Sequence, residues 1–104
     1  MAATTVEDYE TVRGKYVESV TIVRTDSTAY PSGWKYSLHY GTLDGATLLR
    51  YDNAHERSKG HEKHTGDGVE TIRFPGMKTL YERFQREIDV LLAEDTHDDG
   101  SETV

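Results

Sequence analysis

Four of the five histidines in this chain stand at positions 39, 55, 61 and 64. Imidazole is the one side chain whose ordinary pKa lies near neutrality, so a pair of them can take and return protons at physiological pH. In RNA cleavage one histidine would take the 2′-hydroxyl proton and a second would protonate the leaving oxygen. A cation such as Lys63 or Arg50 would stabilise the charge that builds on the phosphate. Between His55 and His64 lie Arg57, Lys59 and Lys63 against Glu56 and Glu62, a local net charge of +1 in a chain of net charge −7. This reading makes His55, His61, His64 and Lys63 the candidate catalytic residues. Arg50, Tyr51, Asp52, Asn53 and His39 are the candidate binding residues.

Other readings of the same residues stay open. Histidines in a polar loop are commonly only solvated, and the loop could bind a partner without turnover. His55, His61 and His64 could also supply nitrogens to a metal, with Asp52 or Glu62 as an oxygen ligand. Their spacing matches no standard zinc signature, and neither a metal nor a cofactor is expected. Gly66-Asp67-Gly68 is not a phosphate loop, because no Gly-Lys-Ser/Thr follows it. Ser37 and Ser58 lack any context that marks a nucleophile.

These residues need elements to hold them. Residues 1–14 read as a flexible or short helical end, with Thr5 a candidate cap and Asp8 three positions on. Lys15 to Asp26 is rich in β-branched residues and reads as a strand. Pro31-Ser32-Gly33 marks a turn. Trp34, Tyr36, Leu38 and Tyr40 alternate with Lys35, Ser37 and His39, the period of a half-buried strand. Asp44-Gly45 signals a hairpin into a partner strand, Ala46 to Tyr51. Asp52 to Gly68 shows no apolar period and reads as a 17-residue connection, of a length that is usually either functional or disordered. Val69 to Phe74 reads as another strand, stopped by Pro75-Gly76. Met77, Leu80, Tyr81, Phe84, Ile88, Leu91 and Leu92 then form the stripe of an amphipathic helix. The expected fold is α+β: an antiparallel sheet of about four strands, with one long C-terminal helix packed on one face. It forms a single domain over 15–93, and an acidic disordered tail follows at 94–104.

Composition bounds the function. One domain accounts for 104 residues. The chain has no cysteine, which excludes disulfides, thiolate metal sites and a thiol nucleophile. No apolar run reaches membrane-spanning length, and Met1 to Glu10 is not a signal peptide, so the cytoplasm is expected. The acidic surface argues against a broad nucleic-acid coat protein. It has a second explanation in the surplus carboxylates of proteins from salt-rich cytoplasm.

The run Tyr51-Asp52-Asn53-Ala54-His55, followed by Lys59-Gly60-His61 and His64, resembles the TumE-like family of toxin–antitoxin components. Pro31-Ser32-Gly33-Trp34-Lys35-Tyr36-Ser37-Leu38 takes part in the resemblance, which covers about residues 17–88. Tyr51, Asp52, Asn53, His55, Gly60, His61 and His64 match its motif. Glu62 departs from an expected histidine and Lys63 from an arginine. The resemblance implies a toxin neutralised by a co-encoded DNA-binding antitoxin. It also makes RNA a plausible target, and a second copy of the chain is a further candidate partner. The competing expectation is a non-enzymatic interaction module or a diverged inactive relative, docking through the polar loop or through Trp34.

Overall fold

The computed structural model describes the backbone of residues 2–102 and the side chains as far as Glu94. The acidic tail expected at 94–104 falls outside the fully described residues. The chain divides into two compact units, Met1–Phe74 and Pro75–Val104.

The first unit is a six-stranded meander: β1 (Ala3–Arg13), β2 (Tyr16–Thr25), β3 (Trp34–Thr42), β4 (Thr47–Asp52), β5 (His61–Thr65) and β6 (Gly68–Ile72). The strands lie side by side in chain order, and each pairs antiparallel with the next. A single short helix, α1 (Glu56–Lys59), joins β4 to β5. The second unit is α2 (Met77–Glu102). Among its described side chains, Met77, Leu80, Phe84 and Ile88 are buried, on the expected stripe. The α+β class therefore stands, with six strands in place of about four.

Two expectations are corrected. The N-terminal segment is neither flexible nor helical but forms β1, an edge strand paired with β2 from Ala3↔Thr25 to Arg13↔Tyr16. Its β-branched Thr4, Thr5, Val6, Thr11 and Val12 favour extended backbone. Alternation is faint because the strand is exposed along most of its length. The second correction is the long connection: Asp52–Gly68 holds α1 and the whole of β5. The β5 sequence His-Glu-Lys-His-Thr contains no apolar residue, so no hydrophobic period could reveal it. The ladders to β4 and β6 on either side hold it extended.

Strand side chains alternate between faces. Val20, Ile22, Tyr36, Leu38, Tyr40, Leu49 and Tyr51 are buried on one face. The register puts Ser19, Thr21, Ser37, His39, Arg50, Asp52, Glu62 and His64 on the other. The site is assembled on this polar face.

Candidate functional site

The register sets a row across three strands. His39 of β3 pairs with Arg50 of β4, which pairs with His64 of β5. Neighbouring strands lie about 4.8 Å apart, so the two imidazoles rise from backbones roughly 10 Å apart with a guanidinium between them. Two residues along, a second row runs Ser37, Asp52, Glu62. Each strand contributes an i, i+2 polar pair: Ser37 and His39, Arg50 and Asp52, Glu62 and His64.

Asp52 ties the rows together. Its Oδ2 lies 3.1 Å from His64 Nε2 and 3.2 Å from Arg50 Nε. Its Oδ1 accepts the Ala54 N–H at 3.2 Å, which starts the turn into α1. Glu62 Oε1 stands 3.7 Å from the same His64 nitrogen. The Asp52 side chain is buried, whereas those of Arg50 and His64 remain 42% and 30% exposed, so the row can meet a ligand.

His39 is held differently. Its Nε2 shares a hydrogen bond with Thr47 Oγ1 at 3.0 Å. Burial pushes its pKa below the ordinary 6.5, and the Arg50 charge pushes the same way. The ring is therefore neutral at physiological pH and able to accept a proton. Gly41 gives it room. A Cβ there would stand 3.0 Å from His39 Cε1 and 2.3 Å from the Ala46 carbonyl oxygen.

His61 does not join the row. Three residues before His64 on one strand, it takes the opposite face. There its Nδ1 meets the Tyr36 hydroxyl at 2.8 Å, and its ring stacks on Phe74 with centroids 4.3 Å apart. Burial lowers its pKa, opposed by Glu56, whose Oε1 is 3.7 Å from Nε2. The same burial raises the pKa of Tyr36, with Asp52 and Glu56 adding to it.

Asn53 is likewise engaged inside the protein. Its Oδ1 accepts the Tyr36 N–H at 2.9 Å, and its Nδ2 donates to the Trp34 carbonyl at 2.6 Å and to Glu56 Oε1 at 2.7 Å. The Ser32 N–H and hydroxyl both donate to the Glu56 carboxylate at 2.7 Å. This buried network fastens the Pro31–Tyr36 stretch to the start of α1. Gly60 closes α1 at φ 69°, a left-handed conformation that costs glycine little.

The remaining candidates are dispersed. Lys63 shares the face of Tyr51, its ammonium 5.6 Å from that ring, and so points away from Arg50 and His64. His55 is exposed at the start of α1 and makes no side-chain cap there. Trp34 is half-buried beneath the Arg24 guanidinium, 5.0 Å from its centroid. The expected gathering of His55, His61 and His64 does not occur. His39, Arg50, Asp52 and His64 come together, joined by Glu62, Ser37 and Thr47. Spacing held the clue to Ser37 and Glu62: the motifs S-x-H, R-x-D and E-x-H each place two polar groups on one strand face.

Fold and site together define a small α+β protein with a row of histidine, arginine and carboxylate side chains on the polar face of an antiparallel meander. The chain belongs to the Toxin TumE family, whose model matches residues 3–92. No curated protein and no solved structure matches it. Family membership suggests the toxin component of a toxin–antitoxin system and implies an antitoxin partner. Among the described residues no helix is long and apolar enough to cross a membrane.

Proposed function

We propose that this toxin is a metal-independent ribonuclease in which His39 and His64 transfer protons on either side of a phosphate held by Arg50. His39, neutral at physiological pH, takes the 2′-hydroxyl proton. The 2′-oxygen attacks the adjacent phosphorus, and the bond to the 5′-oxygen breaks. His64 protonates that leaving oxygen, giving a 2′,3′-cyclic phosphate and a free 5′-hydroxyl. Arg50 lies between the two rings in the register and neutralises charge on the non-bridging oxygens. Asp52, 3.1 Å from one nitrogen of His64, orients that ring and leaves the other nitrogen for the substrate. A co-encoded DNA-binding antitoxin neutralises the toxin in the cytoplasm.

The observation that carries this reading is the His39–Arg50–His64 row, because it supplies a base, an acid and a cation on one face. The test is cleavage of single-stranded RNA by purified protein in EDTA, with analysis of the ends. Wild type is expected to leave cyclic phosphates, and to arrest growth when expressed without its antitoxin. His39→Ala, Arg50→Ala and His64→Ala are each expected to lower cleavage by about 100-fold or more and to relieve the growth arrest while remaining folded. Full toxicity of the folded His39→Ala and His64→Ala proteins would defeat the proposal.

A further inference from the structure

We infer that Asp52, Glu62 and His64 form a binding site for a divalent transition ion of the zinc class. The site stands on geometry alone. Its effect on activity rests on the ribonuclease reading, because the ion would occupy the ring of His64.

The three side chains offer one nitrogen and two oxygens, all within 4.8 Å of one another. His64 Nε2 lies 3.1 Å from Asp52 Oδ2 and 3.7 Å from Glu62 Oε1. Zinc bonds of about 2.0–2.2 Å to such donors set tetrahedral edges of roughly 3.3–3.6 Å, within the span of these separations. Their scaffold is rigid. Glu62 and His64 are two apart on β5, and Asp52 is the direct register partner of Glu62 on β4. An ion can therefore seat with side-chain adjustment only.

A second observation points to a ligand at this place. His64 Nε2 is buried and makes no hydrogen bond, despite the nearby carboxylates. A buried polar nitrogen without a hydrogen bond is costly, and a metal ion would satisfy it. The mixed donor set selects the kind of ion: imidazole favours zinc and its neighbours, whereas magnesium and calcium prefer oxygen alone. Two carboxylates outweigh the single Arg50 guanidinium beside Asp52, a side chain that is 42% exposed. Glu62 and His64 keep 21% and 30% exposure, which leaves a route in for the ion and an outer position for water.

The test is calorimetric titration of zinc chloride into the metal-stripped full chain at neutral pH. One equivalent is expected to bind wild type. Loss of even an outer partner weakens metal sites by about tenfold or more, so Glu62→Gln and His64→Asn are each expected to lose at least that. His55→Asn, away from the site, is expected to bind as wild type does. No binding by wild type, or equal affinity in the Glu62→Gln and His64→Asn proteins, overturns the site. In parallel, zinc should inhibit RNA cleavage by wild type over the range in which it binds. Binding with no inhibition overturns the competition for His64. If no protein cleaves RNA yet zinc binds as described, the ribonuclease reading falls and the metal site stands.

Discussion

His61 and His64 stand on opposite faces of one strand, the first against Tyr36 and Phe74, the second against Asp52. Their substitutions should therefore fail in different ways. His61→Ala strands the Tyr36 hydroxyl and is expected to cost about 1–3 kcal/mol of stability. His64→Ala removes a half-exposed ring and should change stability by less than about 1 kcal/mol, while lowering cleavage by about 10²–10⁴. Urea unfolding and RNA turnover on the same preparations separate the two. Equal destabilisation by both would contradict the placement.

Stability should also depend on pH through His61. Its folded pKa is depressed below 6.5, mainly by burial. The unfolded chain therefore takes up the proton first as pH falls. This contribution is fully present above about pH 6.5, declines as pH drops below that value, and levels off once the folded ring is also protonated. His39 is depressed too and adds in the same direction. A His61→Gln protein should lose stability less steeply on acidification than wild type. Parallel curves for the two proteins would show that His61 does not titrate differently on folding.

The acidic limb of cleavage should report His39. Burial and Arg50 both lower its pKa, so kcat/KM is expected to hold as pH falls through 6.5 and to decline only below it. Replacing Arg50 with Gln removes one of those causes. The limb should then move toward higher pH as the overall rate drops. A limb at the same pH in both proteins would show that the arginine does not act on this ring.

The strands that present Ser37, His39, Arg50 and Asp52 were legible because Trp34, Tyr36, Leu38 and Tyr40 alternate and Asp44-Gly45 marks the hairpin. Hydrophobic period is the signal that sequence reading depends on. Where both faces of a strand are polar the signal is absent. That is why His61–Thr65 read as loop and Ala3–Arg13 as a loose end. The all-polar sequence of β5 hides the site for the same reason. In a loop, histidines three apart can converge; in a strand they cannot. Family resemblance pointed to Asn53 and His61, but the structure gives both a place in the buried network that holds Ser32, Trp34 and Tyr36.

Gly41 should tolerate no side chain. An added Cβ would lie 2.3 Å from the Ala46 carbonyl oxygen, so the β3–β4 hairpin must shift at its irregular register. Gly41→Ala is expected to destabilise by about 1–3 kcal/mol, the range for overpacking. It should also lower cleavage by displacing the His39 ring, which stands 3.0 Å from the new atom. Thermal melts and turnover test both parts. A protein with wild-type melting and wild-type activity would show that the hairpin yields without strain.

Asp52→Asn isolates the role of the carboxylate. The amide oxygen can still accept the Ala54 N–H, so the turn into α1 should survive and the melting temperature should stay close to wild type. What disappears is the charge 3.1 Å from His64 and 3.2 Å from Arg50. Both side chains then lose the group that fixes their direction. Misplacement by about 1 Å can cost on the order of 100-fold in rate, so kcat should fall by up to about that factor. KM should change much less, because Arg50 still carries its charge to the phosphate. Asp52→Glu restores the charge at a longer reach and should recover part of the rate. A merely structural Asp52 would give a different pattern: lower stability in both variants, a fall in active protein fraction, and no separation of kcat from KM.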